Sequence, residues 1–135
     1  MSQNLVANII SAASRENPAD RVLREKIKAQ RWLLPADARE ISLSVFSYFR
    51  WRGWLDLNSP LNQQIRKARE LAGNFADRPG AFSDADLASR VAPDWIHEEM
   101  EITPAWARVI QSEPKLWLRA KPGQGGMLCE KLDIA

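Results

Sequence analysis

The chain has 135 residues, 45% of them hydrophobic and 27% charged, with a formal net charge of +2. That size supports one domain with a real apolar core, without help from disulfides or metal. A lone cysteine, Cys129, excludes an internal disulfide and a cysteine-based zinc cluster and suits a reducing, cytoplasmic setting.

The opening residues lack a basic segment followed by a long apolar core, so no signal peptide is expected, and no apolar run reaches membrane-spanning length. Charge is unevenly spread. Residues 1–82 carry 13 Lys/Arg against 8 Asp/Glu, and residues 83–135 carry 6 against 9. A basic front half suits an anionic partner, and a solvated helix face accounts for it equally well.

The first helix is expected from Asn4 to about Arg15, with Leu5, Val6, Ile9, Ile10 and Ala13 on one side. Asn17-Pro18 reads as an N-cap and first-turn proline, opening a second helix to about Gln30. Val22, Leu23 and Ile27 face inward there, while Arg21, Arg24, Lys26, Lys28 and Arg31 share the other face. Trp32-Leu33-Leu34-Pro35 is an apolar connection into the segment Asp37–Leu57, which is apolar on more than one side and is expected to be the central helix of a bundle. Ala38, Ile41, Val45, Phe46, Tyr48 and Phe49 form its broad face, and Gly53 is expected to end or bend it.

Ser59-Pro60 repeats the cap signal and opens a fourth helix to about Ala76, with Leu61, Ile65, Ala68, Leu71 or Ala72, and Phe75 inward. Arg66, Lys67 and Arg69 sit together on it. Beyond the turn at 77–81, Ser83 to Asp86 resembles a capping box. Short helices follow to Val91, from Pro93 to about Glu101, and from Thr103-Pro104 with Trp106, Val109 and Ile110 inward. Short helices joined by proline turns are expected to wrap the body. Lys115–Lys121 alternates like a strand, Pro122–Gly126 is a loop, and Met127–Ile134 begins a further helix. A strand without a partner is not stable, so this tail is expected to open a second domain outside the chain.

Pro93-Asp-Trp-Ile, followed by Glu113-Pro-Lys-Leu-Trp-Leu-Arg119, resembles the N-terminal extension of the Sun/Fmu-type RNA cytosine-5 methyltransferases. Ala19-Asp-Arg-Val-Leu23 and Arg50-Trp-Arg-Gly-Trp-Leu-Asp56 are similar to the same region. The resemblance implies an all-α, NusB-like helical bundle over residues 1–82, wrapping helices over 83–113, and the start of a following region over 114–135. It also implies a role: holding structured RNA, ribosomal RNA above all, for an S-adenosylmethionine-dependent catalytic domain that this chain does not contain. Lys121 departs from the family pattern, in which asparagine is usual at that place. The glycine-rich cofactor turn and the Pro-Cys or Thr-Cys nucleophile of that family are not found here.

No other constellation supports catalysis within the chain. Cys129 has no neighbouring base to activate it. Gly123, Gly125 and Gly126 lack the Lys-Ser/Thr of a phosphate loop. His97 and Glu101 give two metal ligands where zinc wants three or four, so no metal is expected. Trp51 and Trp54, beside Arg50 and Arg52, are the tryptophans placed for stacking on RNA, although core packing is the commoner use. The candidate RNA contacts are therefore Arg21, Arg24, Lys28, Arg31, Arg50, Arg52, Arg66, Lys67 and Arg69. The alternative is a protein-docking module that packs on its own catalytic domain or on a transcription or ribosome factor.

Overall fold

The computed structural model describes residues 2–115 and 119–132. Among them the protein is all-α, with helices α1 (Ser2–Ala12), α2 (Ala19–Ala29), α3 (Pro35–Arg50), α4 (Leu61–Asp77), α5 (Asp84–Arg90), α6 (Ile96–Glu99), α7 (Pro104–Gln111) and α8 (Gly125–Leu132). Single 3-10 turns occupy Arg52–Trp54 and Pro79–Ala81. No strand forms among the described residues. The centre of the expected strand, 116–118, lies outside them, and Lys115 and Arg119–Lys121 have irregular backbone.

Helix α3 is the hub of the bundle. It packs against α1, α2 and α4, and α4 also touches α1. Its periodicity explains the arrangement: Ile41, Val45 and Tyr48 recur at helical spacing and are buried. Val6, Ile9 and Ile10 of α1, Val22 and Leu23 of α2, and Ile65, Ala68, Leu71 and Phe75 of α4 complete the core. Each fully buried aliphatic side chain contributes roughly 1.5–3 kcal/mol. Small Ser47, also buried, lets neighbours approach α3 closely.

Three features of α3 differ from expectation. Phe46 and Phe49 are exposed, because the buried stripe turns from Val45 through Tyr48 to Trp51 instead of widening to include them. The helix ends at Arg50, before Gly53. Gly53 lies in the 3-10 turn that follows, where a Cβ would overlap the carbonyl oxygen of Arg90 at the end of α5. Glycine is needed at 53 for close approach of two backbone segments, not for helix termination.

Capping follows the sequence signals in the second half and departs from them in the first. Ser83 Oγ accepts from the Asp86 amide at 3.1 Å, and Thr103 Oγ1 accepts from the Trp106 amide at 3.2 Å. Asn17, in contrast, does not cap α2. Its amide donates to Ser14 Oγ at 3.1 Å, and Pro18 itself occupies the cap. At α4 the cap is Pro60, while Ser59 Oγ donates to the Asp56 carbonyl at 2.6 Å. The buried Gln64 side chain donates to the Ser59 carbonyl at 2.7 Å, which ties the first turn of α4 to the preceding loop without capping its amides.

The second half is clamped to the bundle. Helices α5 and α7 pack on each other, and Leu87 and Ala107 join the core. Arg108 ties the pair to the turn after α4. It donates to the carbonyls of Pro79 at 3.0 Å and Phe82 at 2.9 Å and pairs with Asp84 at 2.8 Å. Helix α7 is rotated from expectation: Ala107 and Gln111 face inward, while Val109 (71% exposed) and Ile110 face out. The Arg108 clamp fixes that rotation.

Candidate nucleic-acid interface

Helix α2 is strongly amphipathic. Val22 and Leu23 are buried and Ile27 is half-buried against the core, which leaves Arg21, Arg24, Lys26 and Lys28 on the solvent side, with Arg31 exposed just beyond the helix. Arg21 forms an exposed i,i+4 pair with Glu25 at 3.3 Å, an interaction worth only a few tenths of a kcal/mol and readily exchanged for another anion. Arg24, Lys28 and Arg31 form no ion pair among the described residues, whose four pairs involve Arg21, Lys67, Arg69 and Arg108.

The remaining candidates are arranged differently. On α4, Lys67 pairs with Glu70 and Arg69 with Glu40 of α3, both at 3.0 Å. Arg66 is exposed on the same helix, and Arg52 is exposed in the turn after α3. Arg50 is half-buried in the wall of a cleft of about 490 Å3 that also contains Arg69, Arg108, Gln111 and Glu113. Burial pushes its guanidinium below the usual arginine range, and the Glu113 carboxylate opposes that shift. No residue of α2 lines this cleft, nor the neighbouring clefts that hold Arg66 and Lys67. The nine candidates therefore form two groups: an open cationic row on α2 and Arg31, and a partly self-neutralised set on α3, the turn after it and α4.

Trp51 is not available for stacking. It is 0% exposed, with ring centroids of Trp54, Phe82 and Phe75 at 4.8, 5.3 and 5.5 Å. It is the centre of an aromatic cluster that joins the end of α3 to α4 and to Phe82. Its Nε1 and the carboxamide of Gln111 are buried polar groups without a hydrogen-bond partner among the described residues.

The most exposed aromatic side chain among the described residues is instead Trp32, 95% exposed in the connection between α2 and α3. It directly follows Arg31. The sequence treats this stretch as an apolar connector, and the available signal is its position: a tryptophan outside any helical period has no core stripe to join. Among the described residues there is no group of three or more His, Cys, Asp or Glu side chains that could hold a metal ion, and no helix is long and apolar enough to cross a membrane. No protein-family model matches the chain, and no curated protein or solved structure matches it either.

Proposed function

We propose that this protein is an RNA-binding helical module whose grip is the solvent-facing cationic row of α2. The observation that carries this reading is the set Arg24, Lys28 and Arg31, exposed and without ion-pair partners among the described residues, the first two on a helix whose opposite face is locked in the core and the third just beyond its end. Cations held on a rigid element meet phosphates at fixed spacing, which positions a nucleic acid without reading its sequence. Arg21 joins the row by exchanging Glu25 for phosphate.

The resemblance to the N-terminal extension of Sun/Fmu-type methyltransferases supports the same reading and adds a purpose. Ribosomal RNA held here would present a cytosine to an S-adenosylmethionine-dependent domain in the same protein, with the helical body taking no part in the chemistry. The all-helical architecture agrees with the NusB-like bundle that the resemblance implies. In a gel shift with folded ribosomal RNA, the wild-type chain forms a complex, and the combined variant Arg24→Glu, Lys28→Glu, Arg31→Glu does not.

One observation favours a second reading, a protein-docking module. Val109 and Ile110 expose adjacent apolar side chains on α7, and large exposed apolar residues next to one another suit a protein partner. A pull-down with a Sun/Fmu catalytic domain, lost in the variant Val109→Ser, Ile110→Ser, supports docking; retention of the domain by that variant speaks against it.

A further inference from the structure

Beside Trp32 the surface is concave. A cleft of about 410 Å3 lies between α1, the α2–α3 connection and the start of α3, with Trp32, Asn4, Asn8, Gln30 and Asp37 in its wall. Leu5, Leu33 and Ile41 give it an apolar side. The volume lies within the range that accommodates small organic ligands. Asn4, Asn8, Gln30 and Asp37 are all exposed, so their polar atoms are open to a ligand. Gln30 sits in the chain between Lys28 and Arg31, so the cationic row of α2 ends at the rim of this cleft.

We propose that this cleft receives an unpaired base of the bound RNA, stacked on the Trp32 indole while Lys28 and Arg31 hold the flanking phosphates. The inference rests on the RNA reading above and narrows it to a single-stranded stretch, such as a loop within a folded RNA. Three features converge on that ligand. An indole open to solvent offers a face that any base can cover, and sequence-tolerant stacking of this kind is how single strands are held. Side-chain amides both donate and accept, which suits the edge of a base, and the Asp37 carboxylate accepts from an exocyclic amino group such as that of cytosine. Lys28 and Arg31, close in the chain to the cleft residue Gln30 and without ion-pair partners among the described residues, supply positive charge for the nearby phosphates. A base inside a duplex cannot make this contact, since its faces are already covered.

The test compares a short labelled oligo(C) with a duplex of equal length, using fluorescence anisotropy and the full chain. Trp32→Ala is expected to weaken oligo(C) binding about tenfold, to leave duplex binding within about twofold, and to abolish most of the tryptophan quenching on oligo(C) addition. Trp32→Phe, which keeps a flat ring, is expected to restore most of the affinity. Trp32 is almost fully exposed, so loss of fold does not complicate these variants. Unchanged oligo(C) binding by Trp32→Ala, or equal loss on single strand and duplex, overturns the stacking site while leaving the phosphate grip intact. Failure of the wild-type chain to bind any RNA overturns both.

Discussion

The α-carbon of Gly53 lies against the carbonyl oxygen of Arg90, so the turn after α3 and the end of α5 touch backbone to backbone. A methyl group at 53 has no room, and the obstacle is a peptide carbonyl that cannot swing aside. Gly53→Ala is therefore expected to destabilise the fold by about 1–3 kcal/mol, as overpacking does. Gly73, inside α4, is the control: nothing lies within 4 Å of a Cβ there. Gly73→Ala should stabilise by about 0.5–1 kcal/mol through helix propensity. Urea unfolding of the two variants checks the opposite signs, and equal effects would contradict the close approach at Gly53.

Gln111 is 2% exposed, and neither polar atom of its side chain has a partner among the described residues. Leaving such a group unpaired costs about 1–3 kcal/mol. Gln111→Met keeps the length of the side chain and removes the unmet donors and acceptor. It is expected to raise the unfolding midpoint. A lower midpoint would show that the carboxamide has a partner.

Trp51 and Trp32 make a second contrast, between two tryptophans with opposite roles. Trp51→Ala empties the centre of the aromatic cluster and is expected to cost about 3–5 kcal/mol. Trp32→Ala removes a side chain that supports nothing and should change stability by no more than about 0.5 kcal/mol. Thermal unfolding of both variants distinguishes the roles without reference to any ligand.

These contrasts also show what pattern alone reveals in this chain. Long helices with a clean period are readable: Ile65, Ala68, Leu71 and Phe75 are buried as their spacing requires, and the α2 cations are exposed as theirs requires. Short helices are not. In α7, eight residues long, Val109 and Ile110 are the most apolar side chains, yet Arg108 bonds to Pro79, Phe82 and Asp84 set the rotation and turn them outward. Tertiary hydrogen bonds of that kind leave no local trace.

The candidate site divides in the same way. That α2 presents cations follows from its period. That Arg69 is engaged with Glu40, 29 positions away, and that Trp51 is interior while Trp32 is exterior, depends on contacts distant in sequence. Local pattern favoured Trp51 because arginines flank it, but besides nearby Trp54 the rings that enclose it are Phe75 of α4 and Phe82.

A phosphate grip by the α2 row releases counterions from RNA, so binding through it depends on salt. RNA affinity of the wild-type chain should fall linearly with salt on a log–log scale. Neutralising Arg24, Lys28 and Arg31 to glutamine should flatten that slope by about 2–3, since each lost phosphate contact removes roughly 0.7–0.9. An unchanged slope in the triple variant, or wild-type binding that ignores salt, would contradict a phosphate grip by α2.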